Sequence, residues 1–195
     1  MPSTLPSSSI VANSATATGL EWQAPAGGSG LTLISHTTFS GVASQSINDV
    51  FSATYLNYKI IWSIDTSVAS VELQMRLRVS GSDNTSTNYN WARGYSGQAG
   101  AFSGTGSGAS ANATEFNIAA SSGTRTCQVV QDICRPFATD YTSYTNLGQY
   151  FDSVSNFYGG FSHGSTSVTT SYTGFTFFPG SGTMTGDVSV YGYAK

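Results

Sequence analysis

The stretch "VELQMRLRV", residues 71–79, constrains the fold more than any other part of the sequence, because apolar and polar residues alternate through it without a break. The apolar positions are Val71, Leu73, Met75, Leu77 and Val79. Successive side chains of a β-strand point to opposite faces of its sheet, so strict alternation predicts a strand with one buried face and one face in water. The chain is therefore expected to contain a sheet that packs on one side.

Two stretches nearer the N-terminus show the same period of two. "NYKIIWSID" places four large residues on one face: Tyr58, Ile60, Trp62 and Ile64. "LTLISHTTF" places five residues on one face: Leu31, Leu33, Ser35, Thr37 and Phe39. Both stretches are bounded by Gly, Ser, Asn or Asp, which favour turns. We interpret both as strands.

Short apolar or β-branched runs continue to the C-terminus. They are "NYNWARGY", "TEFNIAA", "TCQVVQDIC", "TGFTFFP" and "GDVSVYGY", separated by turn sequences such as "GSDN" and "PGSG". The stretch "NLGQYFDSVSNFYGG" has apolar residues at helical spacing, but its Gly, Ser and Asn content favours strand or loop. Short strands with regular turn signals, and no alternation of strands with helices, predict an all-β fold, an antiparallel β-sandwich.

The last two of these runs predict a β-hairpin that turns at residues 179–182, "PGSG". Alternation in the final run places Val188 and Val190 on the inner face of the strand. The same alternation places three residues on the other face: Ser189, Tyr191 and Tyr193. The C-terminal strand is thus expected to carry its rings on the face opposite the core.

Charge is scarce in this chain, and its scarcity excludes several classes of partner. Charged residues make up 9% of the 195 residues, against about 25% in typical soluble domains. The net charge of -3 leaves no basic stripe for nucleic acid. No apolar run reaches the length of a membrane helix, and the first residues lack the positive flank and apolar centre of a secretion signal. The chain is expected to be made in a cytoplasm, without membrane insertion.

Residues 1–30 have the composition of an extended arm or linker, with three prolines and a Gly/Ser-rich end, and precede a single domain at residues 31–195. Leu20 and Trp22 are the exceptions, since a linker has no local use for such large apolar groups. Two interpretations stay open for them. They fold back onto the domain, or they dock on a partner.

Three large rings, Tyr89, Trp91 and Tyr95, precede the low-complexity segment 97–114, which we interpret as a long exposed loop. Rings beside an exposed loop suit contact with carbohydrate or protein, because they bind with little loss of side-chain entropy. The alternative is that they are core aromatics of one strand. Both interpretations are kept.

The sequence patterns that most reliably announce catalysis or a cofactor are missing, so we predict no catalytic, cofactor or metal site. His36 and His163 are the only histidines, too few for a zinc site without added ligands. A pair of carboxylates that hydrolyses glycosides cannot be found from spacing alone, so a glycan-cleaving enzyme stays an unsupported alternative. Cys127 and Cys134 would point to opposite faces of one strand and are expected to be thiols.

Four segments resemble known proteins. "ANSATATGLEWQAP" resembles the junction before the terminal domain of many bacteriophage tail fibres. The segments "SINDVFSATYLNYKIIWSI", "DICRPF" and "TSYTGFTFFPGSGTMTGDVSVYGY" resemble the core of a family of small phage virion proteins, abundant in phages of cyanobacteria and other aquatic bacteria. The resemblance implies a jelly-roll-like β-sandwich that forms a homotrimer and is displayed on the virion.

On this resemblance the expected function is non-enzymatic: a tail-fibre or receptor-binding knob that contacts host surface polysaccharide. The arm would bind other virion proteins through Leu20 and Trp22, and Tyr191 and Tyr193 would meet neighbouring subunits. A capsid decoration or head-fibre protein is the alternative within the virion. A carbohydrate-binding module of a bacterial surface system is the alternative from another class.

Overall fold

The computed structural model describes residues 9–12, 20–23, 30–69, 71–97, 108–121, 126–151 and 156–194. Within these ranges the chain forms strands and no helix. In chain order the strands are β1 Ser9–Ala12, β2 Leu20–Gln23, β3 Leu31–Val42, β4 Gln45–Ile47, β5 Asn57–Thr66, β6 Val71–Val79, β7 Ser82–Asp83, β8 Tyr89–Gly97, β9 Gly108–Ala113, β10 Phe116–Ser121, β11 Cys127–Cys134, β12 Ser143–Phe151, β13 Phe157–Thr166, β14 Gly174–Pro179 and β15 Met184–Tyr193.

Two sheets make up the domain. The large sheet has eight strands in the order β3-β15-β5-β11-β12-β13-β8-β9, and the small sheet has the order β10-β6-β14-β4 with β7 beside β6. Neighbouring strands within both sheets run antiparallel. The predicted all-β fold, an antiparallel β-sandwich, is confirmed. Strands β1 and β2, in the N-terminal arm, pair with each other.

The core lies between the sheets, and alternation places its residues there. The four predicted inward residues of β5, from Tyr58 to Ile64, are all fully buried. Trp62 of the large sheet meets Phe177 of the small sheet with ring centroids 5.2 Å apart. Across β6, every second residue from Val71 to Leu77 is buried and the residues between them are partly exposed, whereas Val79 at the end of the strand is 38% exposed. Sheet-to-sheet ring contacts therefore hold the sandwich together.

The predicted inner face of β3 is wrong at its N-terminal end. Leu31 and Leu33 are 44% and 54% exposed, whereas Phe39 is buried as expected. The cause is a β-bulge: Val190 pairs with Ser35 but Tyr191 pairs with Leu33, so the residue between them is skipped. An extra residue in a strand exchanges its two faces, which turns Leu31 and Leu33 outward.

The predicted hairpin around residues 179–182 is also wrong. Strand β14 pairs with β4 and β6, and β15 pairs with β3 and β5, so this turn carries the chain from the small sheet to the large one. The predicted faces of β15 hold, because Val188 and Val190 are buried and Tyr191 lies on the opposite face. Turn chemistry locates a reversal of the chain, but it does not choose the strands that pair.

The described parts of the stretch "NLGQYFDSVSNFYGG" are strand at residues 146–151 and 157–160, one of the two states that its composition favoured. The stretch spans the end of β12 and the start of β13, which pair with each other from Ser143 opposite Ser165 to Phe151 opposite Phe157. Strand β11 covers the other edge of β12, and β8 covers the other edge of β13. Hydrogen bonding on both sides therefore overrides the helical spacing of the apolar residues.

Cys127 and Cys134 lie at the two ends of β11 and are both thiols. Burial, helped by the negative charge of Asp65, raises the pKa of Cys127 from 9.0 to about 12. Between these pH values the unfolded chain has lost a proton that the folded chain keeps, so stability falls as pH rises. The loss attributable to one such group is at most about 1.4 kcal/mol per pH unit.

Wild-type stability is expected to fall as pH rises from 9.0 to 11. We expect Cys127→Ala to make this fall smaller by about 1.4 kcal/mol per pH unit. The measurement is the free energy of unfolding in urea at several pH values. Val129→Ala, which removes a buried side chain without a titratable group from the same strand, is the matched control and should keep the wild-type slope. Equal slopes for wild type and Cys127→Ala would contradict the assignment.

Candidate functional site

The outward face of the large sheet carries a row of exposed apolar side chains. Ile61, Val130, Leu147 and Phe161 are successive Cα partners on β5, β11, β12 and β13. Their exposed fractions are 39%, 42%, 70% and 41%. We call these four residues the apolar row. Exposed apolar residues that stand singly are ordinary, but four in register form a continuous strip.

A charged cluster borders the apolar row on one side. The ammonium of Lys59 lies 2.9 Å from Asp132 Oδ1, and the Tyr193 hydroxyl donates a hydrogen bond to the same carboxylate. Partial burial by itself lowers the pKa of Lys59, but the hydrogen bonds to Asp132 and Tyr193 outweigh it, and the net effect raises that pKa. Lys59 therefore stays protonated at neutral pH, and the pair adds no net charge to this face.

The other border of the apolar row is uncharged. Gln149 Nε2 donates a hydrogen bond of 2.9 Å to Gln128 Oε1 across β12 and β11. Ser63 on β5 and Gly159 on β13 extend this border in register. The apolar row therefore lies between two borders. From β5 to β13 these borders contain the Lys59–Asp132 ion pair and no other carboxylate, ammonium or guanidinium group.

A depression of about 460 Å³ opens at the end of this face formed by β8, β9, β12 and β13. The hydrogen-bonding side chains around it include no carboxylate, ammonium or guanidinium group: they are Asn90, Ser110, Ser143, Thr145, His163 and Ser165. Trp91 and Tyr144 also contribute to the lining, although both belong to the inner face of the sheet and the Tyr144 ring is buried in the core. We call it the hydroxyl depression. Phe161 stacks on His163 with an interplanar angle of 10°, so this ring pair joins the depression to the apolar row.

The chemistry available in the hydroxyl depression is hydrogen bonding beside aromatic surface. Hydroxyl, amide and imidazole groups both donate and accept hydrogen bonds. A ligand dense in hydroxyl groups with an apolar ring face matches such a surface better than a strongly charged ligand does. A sugar has this chemistry.

The three rings predicted for glycan contact all come from β8 and point between the sheets. Tyr89 is fully buried, and its hydroxyl accepts from the Leu77 amide and donates to the Asn84 carbonyl oxygen. Its ring meets Phe116 edge-on at 4.7 Å. Tyr89 is therefore a core residue, as the second interpretation held, and offers no surface to a ligand.

Trp91 and Tyr95 are only half-buried. Trp91 packs against the core and lines the hydroxyl depression, with the Arg93 guanidinium 5.7 Å from its ring. Tyr95 packs edge-on against Tyr158 at 6.0 Å. Trp91 contributes to the lining of the hydroxyl depression, but its register with Gly164 and Tyr144 places its ring on the inner face of the sheet, so none of the three predicted rings is presented to the outward face.

The other predicted residues lie at two separate places. Tyr191 and Tyr193 are half-buried on the outward face of the large sheet, opposite Leu33 and Leu31 of β3. In the N-terminal arm the register of β1 and β2 pairs Trp22 with Ile10 and Leu20 with Ala12. The side chains of these arm residues lie outside the described part of the chain.

Sequence reasoning missed the apolar row, although two signals for it were present. Ile61 and Val130 each follow another aliphatic residue, so each interrupts the alternation of its strand on the side expected to be wet. Leu147 and Phe161 gave no comparable signal. The row becomes visible only when the register places the four residues side by side.

Among the described residues, no group of three or more His, Cys, Asp or Glu side chains could hold a metal ion. The described part of the chain also contains no helix that is long and apolar enough to cross a membrane. No protein-family model, curated protein or solved structure matches the sequence or the fold. Function is therefore argued from the geometry of the outward face and from the resemblance noted in the sequence.

Proposed function

We propose that this protein is a non-enzymatic structural protein of a bacteriophage virion: a trimeric knob, of the tail-fibre or receptor-binding kind, that contacts glycans on the host surface. The observation that carries the receptor role is the hydroxyl depression, with its hydrogen-bonding groups beside the Phe161–His163 ring stack. The resemblance of the arm and of the C-terminal segment to phage proteins carries the placement on a virion.

The depression favours a neutral glycan. Its lining side chains include no Asp, Glu, Lys or Arg, so an acidic sugar gains no ion pair there. Thr145 and His163 are exposed at its border, where their hydroxyl and imidazole groups are open to a ligand. The ring of Phe161, stacked on His163, offers an apolar surface next to these polar groups. Stacking and hydrogen bonds together are the usual means of holding a pyranose ring.

The arm supplies the attachment to the particle. Leu20 and Trp22 lie on β2, and the register pairs them with Ala12 and Ile10 of β1. A short antiparallel pair with large apolar positions is a suitable docking element, because it presents them on a small preformed unit. Residues 1–30 therefore bind another virion protein, and the sandwich is held away from the particle.

The receptor role predicts that the intact protein binds neutral polysaccharide of the host surface and that His163→Ala weakens this binding about tenfold. The loss corresponds to one hydrogen bond together with the stacking partner of Phe161. Calorimetric titration with purified host lipopolysaccharide or its polysaccharide part measures it.

The matched control is His36→Ala, which removes the same side chain from β3, where His36 Nδ1 is 2.9 Å from the Ser189 hydroxyl. This variant should bind as the wild type does. If both variants weaken glycan binding equally, the hydroxyl depression is not the binding site. Absence of binding by the wild type at millimolar glycan would overturn the receptor role.

A further inference from the structure

We propose that the outward face of the large sheet, centred on the apolar row, packs against a second copy of this chain. The surface is larger than the apolar row alone. Seven exposed large apolar side chains share this face: Leu31, Leu33, Ile61, Val130, Leu147, Phe157 and Phe161. The half-buried rings of Tyr191 and Tyr193 lie on the same face, opposite Leu33 and Leu31.

The area is close to what a stable interface needs. The exposed fractions of these seven side chains lie between 38% and 70%. At about 200 Å² for a fully exposed large apolar side chain, they leave on the order of 600 Å² in water. The largest apolar patch of a typical monomer is about 300–600 Å², and a standard interface buries about 800 Å² on each partner. These side chains therefore stand at the upper end of what a monomer exposes, and the polar borders of the apolar row would supply the rest of a standard interface.

The charge on this face selects an identical partner. From β5 to β13 the borders of the apolar row carry the Lys59–Asp132 pair, whose charges cancel, and the Gln128–Gln149 hydrogen bond. Asp187, opposite Ser63, and Asp65, two residues further along β5, lie on the same outward face, so the neutral stretch is the one from β5 to β13 along the row, where a strongly charged partner would find no counter-charge. A second copy brings the same neutral, apolar surface and meets no like-charge repulsion along the row.

The outward face of the small sheet differs in the way expected for a surface that stays in water. Arg76 pairs with Glu115 at 2.8 Å, and its guanidinium lies 4.6 Å from the ring of Phe178. Arg78 forms an ion pair with Asp83 and also donates to Asn48 Oδ1 at 2.8 Å. Charged residues are depleted at the centre of interfaces, so the two outward faces of the sandwich have different uses.

The number of copies, three, rests on the trimer proposed above. The choice of this surface rests on the described residues alone. An interface on this surface is also compatible with glycan binding in the hydroxyl depression. The Phe161–His163 stack marks the border between the apolar row and the hydroxyl depression, so the depression lies at the rim of the interface. A ligand can reach it there while the row is covered.

The test is the oligomeric state of the full-length protein, measured by sedimentation velocity from about 0.1 to 100 µM together with light scattering. The wild type is expected at about three times the 20.4 kDa of one chain. Leu147→Asp places a charge at the most exposed position of the apolar row and is expected to weaken association about 100-fold or more, giving monomers.

Val79→Asp is the matched control, because Val79 is an exposed aliphatic residue of the small sheet. This variant should assemble as the wild type does, and both variants should keep the wild-type melting temperature within a few degrees. If Leu147→Asp fails to fold, Leu147→Ala serves in its place and should weaken association about tenfold.

The outcomes separate this inference from the proposed function. A monomeric wild type, or a Leu147→Asp variant that is folded and assembles like the wild type, overturns the inference. A wild-type dimer that Leu147→Asp dissociates supports the surface but contradicts the trimer. Loss of glycan binding has no bearing on the surface, because His163→Ala tests the depression separately.

Discussion

Gly186→Ala is expected to lower the free energy of unfolding by about 3 kcal/mol or more, enough to lower the melting temperature by about 10 °C. A methyl group at this position of β15 would come closer than 3.0 Å to the carbonyl oxygen of Ser63 on β5. The obstacle is backbone in the paired strand, so no side-chain rotation can relieve it. Strand β15, the second strand from the edge of the large sheet, would have to move away from β5.

Gly159→Ala provides the matched control in the same sheet. An added Cβ at Gly159 meets no atom within 4 Å, so this variant should be as stable as the wild type, or more stable by up to about 1 kcal/mol. Thermal unfolding followed by circular dichroism measures both variants. If Gly186→Ala melts within a degree or two of the wild type, the close pairing of β15 with β5 is not as described.

Deletion of residues 1–29 is expected to abolish incorporation of the protein into phage particles while leaving the sandwich folded. The deletion removes β1 and β2, which pair with each other, and keeps Gly30, whose carbonyl oxygen accepts a hydrogen bond from the Ala194 amide at 2.9 Å. The measurement is the amount of tagged protein in purified particles, with the melting temperature of the deletion variant as the check on folding.

Point variants locate the anchor within the arm. Replacing Leu20 and Trp22 together by alanine should reduce incorporation about as strongly as the deletion does, whereas Glu21→Ala, between them on β2, should have no effect. Incorporation of the deletion variant at the wild-type level would refute the docking role of the arm. Antibody labelling of the wild-type particles then decides between a tail-fibre knob and a capsid decoration protein by the position of the label.

Alternation predicted the strands whose two faces differ most. Strands β5 and β6 bury every second residue over most of their length, and β11 does the same from Cys127 to Ile133. The property is local, because the direction of a side chain in a strand depends only on its position along that strand. For the same reason composition was enough to favour strand over helix at "NLGQYFDSVSNFYGG".

Local sequence patterns could not predict the features that depend on which strands pair and how they pack. The turn at residues 179–182 was recognised, but β14 and β15 pair in different sheets. One skipped residue in β3 turns Leu31 and Leu33 outward, and nothing in "LTLISHTTF" marks the place. Tyr89 has the same sequence signature as Trp91, yet the packing of Phe116 encloses Tyr89 and leaves Trp91 half-buried.

The sequence by itself determined that this chain is an antiparallel β protein with a charge-poor surface, because alternation and composition act residue by residue. Only the tertiary structure decided that Ile61, Val130, Leu147 and Phe161 stand side by side, and that hydrogen-bonding residues of four strands surround one depression. The physical reason is that backbone hydrogen bonds are alike for every pair of strands. Partner and register are therefore chosen by the burial of the whole core, which no single stretch of sequence contains.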